Sequence, residues 1–269
     1  MPAKITSIDY GKAAVSVYRF AAEPLSGLTP IPESSFTGRS NALFAAEVDV
    51  RVLGDNFIPA YTEGDNRMVV ATDSMKNFVH ELALAYSGAT LEGFLAFVGR
   101  RFLQEYPEMA SLRVLGKEIA FTPARIPEGD GFADSSVLFS RSRGDYATAE
   151  VAVDRHDDEL RITDLACGRR ALQLIKLKGS SFASFVRDEH TTLPEMNDRP
   201  LFIHLDVGWR YQDPRQALAE DYSCYVAAEQ VRDLACAVFE AFNSRSIQHL
   251  VHEMGTRLLE RFPQLAEVS

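Results

Sequence analysis

The stretch Thr62-Glu-Gly-Asp-Asn-Arg-Met-Val-Val-Ala-Thr-Asp-Ser-Met-Lys-Asn77 decides how the rest of the chain is read. A Gly/Asp/Asn turn feeds a short apolar run, Met68 to Ala71, and Thr72, Asp73 and Ser74 then stand together at the mouth of a helix. Met75, Phe78, Val79 and Leu82 announce that helix, at the i, i+3, i+4, i+7 spacing of an amphipathic segment. Two readings of the polar trio compete. Each of the three side chains is able to cap the helix by accepting a hydrogen bond from a free N–H of its first turn. One cap needs only one of them, so a hydroxyl and a carboxylate held at a helix N-terminus are also placed to face a ligand.

Working outward, residues 12–20 and 45–53 read as strands, the second with Ala46, Val48, Val50 and Val52 alternating against Glu47, Asp49 and Arg51. Pro24 to Ser40 is rich in Pro, Gly and Ser and reads as a long loop or flap. A second helix starts near Thr90, carries Leu91, Phe94, Leu95, Val98 and Phe102, and stops at Pro107. Strand-like segments return at 111–121 and, past the turn-rich Pro123 to Gly131, at 135–153. Asp157-Asp158 turns the chain from Tyr146–Val153 into Glu159–Leu165, and further strands are predicted at 171–178 and 201–211. Helices are predicted at 217–242 and 246–263. The order is ββααββ followed by ββαα, an α+β layout whose second half repeats the first.

The chain of 269 residues is long enough to bury a substantial core in one or two domains. Its net charge of −10 argues against a nucleic-acid partner, whose phosphates it would repel, and leaves open an anionic small molecule if the site is locally basic. No apolar run approaches the length of a membrane span, so no membrane partner is expected. The opening Met1 to Lys12 lacks the apolar core of a secretory signal, and the last residues are not a peroxisomal address, which together predict a cytoplasmic protein. Cys167, Cys224 and Cys236 have no CxxC spacing and read as small hydrophobes in a reducing compartment. No GxGxxG, P-loop or GxSxG pattern supports a nucleotide cofactor or a covalent nucleophile.

Several of these segments resemble the urate oxidase (uricase) family, in the family's order. Tyr61-Thr-Glu-Gly-Asp-Asn66 with Val69-Val-Ala-Thr-Asp-Ser-Met-Lys-Asn77 is similar to its signature, Tyr10-Gly11-Lys12 to its N-terminal motif, and Gly179 to Arg199 to its most specific internal segment. Trp209-Arg210-Tyr211 follows at the expected distance. The likeness implies a tandem tunnelling fold, with modules at 1–154 and 155–269, an antiparallel sheet, and helices on one face. The family's final strand pair, with its Pro-Asn-Lys-His motif, has no counterpart in the sequence. The second module is therefore expected to stop after its helices, without the family's oxygen-site Asn and substrate-side His.

The resemblance also implies roles for particular residues. Lys12 and Thr72 form the catalytic dyad, with Asp73 orienting the site. On chemistry alone Lys12 is a solvated strand-start charge or, held near a hydroxyl and partly desolvated, a base. Phe182 is a core aromatic or the stacking face for a flat ring. Arg199 is a surface partner of Asp198 or a planar fork for an anionic edge. Gln248, whose amide both donates and accepts, completes the pair, and Ile247 adds backbone contact. In the family the two sets come from neighbouring subunits, which implies a homo-oligomer.

His190 stands where the family usually has Tyr. His249, His252 and Glu253 share a helix but are not in HExxH order, so no metal is expected. The implied reaction is cofactor-independent oxidation of urate or a related planar, purine-like anion, with O₂ as co-substrate. The rival readings are a helper subunit completed by a second chain that supplies the missing strands, and a purine-binding protein without turnover.

Overall fold

Alternation with a period of two builds the sheet. In residues 43–53 the inward set Ala46, Val48, Val50 and Val52 is no more than 1% exposed, while Glu47, Asp49 and Arg51 project from the opposite face. The computed structural model describes residues 7–141 and 143–269. Residues 1–6, half of the opening read above for a secretory signal, lie outside the described residues.

The strands are β1 (Asp9–Phe20), β2 (Leu43–Leu53), β3 (Ser111–Glu118), β4 (Thr122–Glu128), β5 (Gly131–Ser140), β6 (Tyr146–His156), β7 (Glu159–Lys176), β8 (Leu201–Tyr211) and β9 (Leu265–Val268). Seven of them form one sheet in the order β1-β2-β3-β6-β7-β8-β9, with every neighbouring pair antiparallel. β4 and β5 make a separate hairpin. After the short α1 (Ile58–Thr62), the helices are α2 (Thr72–Ala85), α3 (Leu91–Glu105), α4 (Ala228–Ala241) and α5 (Ile247–Arg261).

The helices bury their apolar stripes in one layer. α3 lays Phe94, Leu95, Val98 and Phe102 into the core over β3 and β6, each such side chain contributing about 1.5–3 kcal/mol on burial. Gly99 permits that contact, since a Cβ there would stand 2.7 Å from the Val153 side chain. The opposite face of the sheet is charged, with Arg113 paired to Glu150 at 3.3 Å and Arg210 paired to Asp164. The expected α+β layout, an antiparallel sheet with helices packed on it, is what the chain adopts.

Several boundaries differ from the expectation. The helix predicted over 217–242 begins only at Ala228; a 3₁₀ turn occupies Pro214–Leu218, and Tyr222 sits at φ 52°, which a helix does not tolerate. The turn-rich Pro123 to Gly131 is mostly strand β4, whose two prolines are tolerated because the hairpin has free edges. The segments read at 159–165 and 171–178 are parts of one long strand, β7, interrupted by a bulge between Arg169 and Leu172. The second half does not stop at its helices, because β9 follows α5 and pairs with β8.

The two halves repeat each other with a shift of 156–157 residues. Ala14 in β1 and Ala171 in β7 both lie in the left-handed region, at φ 57° and 58°. Each sits in a bulge, and its N–H donates to a carboxylate on the next strand, Asp49 at 2.8 Å and Asp206 at 2.7 Å. Thr90 and Ser246 both cap the helix that follows them, accepting from Gly93 N and His249 N at 3.1 Å. Leu25 bridges to Arg39 as Phe182 bridges to Met196.

Arg169, 0% exposed, ties β7 to the neighbouring elements through Asp145 (Nε–Oδ2 2.8 Å) and Glu118 (3.3 Å). Burial pushes the Asp145 carboxyl up, but the Arg169 hydrogen bond and charge outweigh it and hold it below the usual aspartate range. Its stabilising contribution is present above that range and is lost as pH falls through the lowered value. Removing the cation strands two carboxylates. Arg169→Ala is expected to cost about 3–5 kcal/mol in urea unfolding followed by circular dichroism; a loss below about 1 kcal/mol would mean that water replaces the guanidinium there.

Candidate active site

Tyr10-Gly11-Lys12 and Thr72-Asp73 are joined by the start of β1. The Tyr10 hydroxyl accepts a 2.8 Å hydrogen bond from the N–H of Val70, which anchors the run leading into α2. Tyr10 also meets the Phe57 ring edge-on at 4.8 Å, and burial pushes its phenol up. Gly11 has no room for a side chain, because a Cβ would lie 1.8 Å from the Val50 carbonyl oxygen. That close approach sets half-buried Lys12 on β1 just before the bulge.

The polar trio does not cap α2. The N-cap is Ala71, whose side chain makes no capping bond, and Thr72 is the first helical residue. Among the described residues the Thr72 hydroxyl makes no hydrogen bond within the chain. Asp73 accepts from Lys76 Nζ at 2.6 Å and from Asn77 Nδ2 at 3.2 Å. Its exposed carboxyl is held low first by the Lys76 hydrogen bond and charge, with a smaller contribution from Lys12. Lys12 and the mouth of α2 therefore share one electrostatic neighbourhood.

The second set gathers where β7 ends and α5 begins. Ser181 N donates to Ser244 O and Arg199 N to Ser180 O, both at 2.8 Å. Phe182 and Met196 exchange two backbone bonds, and the side chains of Ser180 and Ser244 are buried in the seam. Ser246 then caps α5, which sets Ile247 and Gln248 as its first two helical residues, both exposed. The Arg199 guanidinium stands 5.7 Å from the centre of the Phe182 ring, and its buried Nε has no hydrogen-bond partner. Phe182 stacks on Phe185 at 4.7 Å and 11°. The sequence reading missed Ser180, Ser244 and Ser246. Of these only Ser246 carried a signal, as a capping residue directly before an apolar helical stripe.

One chain does not bring the two sets together. Lys12 lies on the first strand of the sheet and Arg199 directly before the sixth, about 24 Å along it at the usual spacing of roughly 4.8 Å. An open groove of about 690 Å³ beside α4, lined by Lys176, Gly179, Asp198 and Phe239, includes none of the seven candidate residues. In it Lys176 is engaged with the carbonyls of Phe239 and Phe242 at the end of α4.

The remaining candidates have local roles. His249 packs edge-on against Phe242 at 4.7 Å, and Glu253 pairs with Arg257 at 2.9 Å. His190 is exposed beside Glu189. Cys167 is buried as expected, but Cys224 and Cys236 are only partly so, and all three are free. Among the described residues no group of three or more His, Cys, Asp or Glu is arranged to hold a metal ion, and no helix is long and apolar enough to cross a membrane.

Known proteins are similar to the chain over nearly its whole length. The uricase family model matches residues 8–150 and 165–269. A uricase of Haloferax volcanii is 50% identical over 263 residues, spanning 97% of this chain and 85% of that protein. A uric acid degradation bifunctional protein of Bacillus subtilis is 43% identical, over 98% of this chain and 53% of its own length. The crystal structure of urate oxidase from Bacillus sp. TB-90 superposes with a TM-score of 0.93 at 44% identity, covering 97% of this chain and 87% of that one. The fold is the tunnelling fold of that structure, and with the family model covering most of its length the chain belongs to the uricase family.

Proposed function

We propose that this chain is a uricase-like oxidoreductase that oxidises urate with O₂ as co-substrate, in sites shared between two copies. The single observation that carries the shared site is the separation of two incomplete half-sites by the width of the sheet. One half offers an amine, a free hydroxyl and the N-terminus of α2; the other offers a ring face, an unpaired guanidinium N–H and an amide at the N-terminus of α5. The division into modules 1–154 and 155–269 belongs to this reading, supported by the 156–157-residue repeat and by the turn between β6 and β7. Three free cysteines suit a cytoplasmic location.

In this mechanism the urate anion stacks on Phe182. The Arg199 fork binds one edge of the ring with charge-assisted hydrogen bonds, and Gln248 reads the opposite edge with one donor and one acceptor. The backbone of Ile247 extends that contact. From the second copy, Thr72 relays a proton from the ring to Lys12, and Asp73 orients the pair. The electron-rich anion that results passes electrons directly to O₂. Lys12 and Arg199 are the cations this reading sets against the urate anion in a chain that carries −10 overall.

Three measurements test this. Thr72→Ala is expected to cut turnover while leaving folding and binding largely intact, since no capping bond is lost; unfolding of the variant would return Thr72 to a structural role. Arg199→Lys replaces a planar fork with a point charge and is expected to weaken urate affinity by about 1.5–3 kcal/mol in anaerobic calorimetry, whereas unchanged affinity would remove Arg199 from the site. Lys12→Ala and Arg199→Ala chains, each inactive alone, are expected to regain oxygen uptake when refolded together. Two inactive chains that stay inactive as a mixed oligomer would place both residues in the same half.

A further inference from the structure

The 156–157-residue repeat relates more than the scaffold. Shifted forward, Lys12, Thr72 and Asp73 fall on Arg169, Ala228 and Glu229; shifted back, Phe182 and Gln248 fall on Leu25 and Glu92. Three of these counterparts, Glu92, Ala228 and Glu229, line one cavity inside a single chain. The Arg39 guanidinium from the first half donates to Glu229 from the second at 2.8 Å, and the Tyr225 hydroxyl donates to Glu92 at 2.9 Å. Between them lies a cavity of about 250 Å³, lined among others by Arg39, Glu92, Arg143, Tyr225, Glu229 and Arg232. That volume is just below the roughly 300 Å³ at which drug-sized pockets begin, which suits one small ring system and not a nucleotide.

One arginine around the cavity is left without an ion pair, although the four arginines there are matched in number by four carboxylates besides Glu92. Arg39 pairs with Glu229, Arg232 with Asp233, and Arg169 with Glu118 and Asp145. Burial pushes the Glu92 carboxyl up, toward its neutral form, in which it both donates and accepts. Arg143 makes no ion pair among the described residues, and its Nε is buried without a hydrogen-bond partner. Burial, and next the neighbouring Arg169 charge, pull the Arg143 guanidinium down against the opposing charge of Asp145, so a further anion beside it would offset both effects. The catalytic pair has no equivalent here. Arg169 is locked in ion pairs, and Ala228 has no hydroxyl.

The geometry points to a second, non-catalytic site within each chain that takes a planar heterocycle carrying a single negative charge, with Arg143 on its anionic edge and Glu92 on its N–H/C=O edge. The choice of ring rests on the reading of the shared site, since the two places are related by the internal repeat. Binding here gives no oxidation, so occupancy responds to the concentration of the ring compound and not to turnover.

The test is a calorimetric titration of the intact protein with urate under nitrogen, where no oxidation occurs. Two molecules of urate per chain are expected. Arg199→Ala is expected to remove one, while Arg143→Ala, alone or with Glu92→Gln, weakens the other at least about tenfold. If Glu92→Gln does not fold, Arg143→Ala carries the test, because its Nε has no partner to lose. One molecule per chain, abolished by Arg199→Ala and unaffected by Arg143→Ala, overturns the second site and leaves the shared site standing. One molecule that survives Arg199→Ala and is lost in Arg143→Ala supports the second site and removes Arg199 from urate binding. No binding in any variant overturns both.

Discussion

The ladder of backbone hydrogen bonds across the seven-stranded sheet is the constraint on which the rest depends. It holds Lys12, on β1, and the start of β8, which Arg199 precedes, five strand steps apart, and no side chain spans that distance. Among the described residues it also leaves the outer edge of β1 without a paired strand, and β8 and its end are paired on the outer side only over residues 208–212. Bare edges invite pairing with another chain. Under the proposed function, a second copy covering these edges would also bring the two half-sites together.

Within each half, polar groups free for a ligand exist because other groups do the structural work. α2 is entered through an apolar run tied down by the Tyr10–Val70 bond, so its first-turn hydroxyls are not consumed in capping. At α5 the labour is divided differently, with Ser246 taking the cap and Gln248 left exposed. The buried serines Ser180 and Ser244 hold the segments carrying Phe182 and Arg199 to the entrance of α5 through backbone bonds.

The internal repeat accounts for a contrast inside the molecule. The same bulge, carboxylate and cap recur in both halves, yet the residues equivalent to the proposed dyad have become a locked arginine and an alanine. The seam between the halves of one chain buries its polar groups in ion pairs, as expected for a permanent contact. The half-sites leave the Thr72 hydroxyl and the Arg199 Nε without a partner among the described residues.

By itself the sequence determined what depends on near neighbours. The alternation of Ala46 to Val52, the stripes Met75 to Leu82 and Phe94 to Phe102, and the order of elements were legible because side-chain direction repeats every two or every 3.6 residues. The motifs around Lys12, Thr72, Phe182 and Arg199 were legible as short runs, although their roles came from resemblance. Tertiary structure alone decided the rest. The start of α4 was set by Tyr222 in the left-handed region, and the continuity of β7 by a bulge whose strained alanine is held by Asp206, a carboxylate 35 residues away. That Ala71 and not Thr72 takes the N-cap position of α2, that Arg169 is fully enclosed, and that Arg143 lines a cavity with its Nε unpartnered all depend on contacts between distant segments. No local pattern encodes such contacts, because the sheet's register, and not the spacing of residues along the chain, determines which side chains meet.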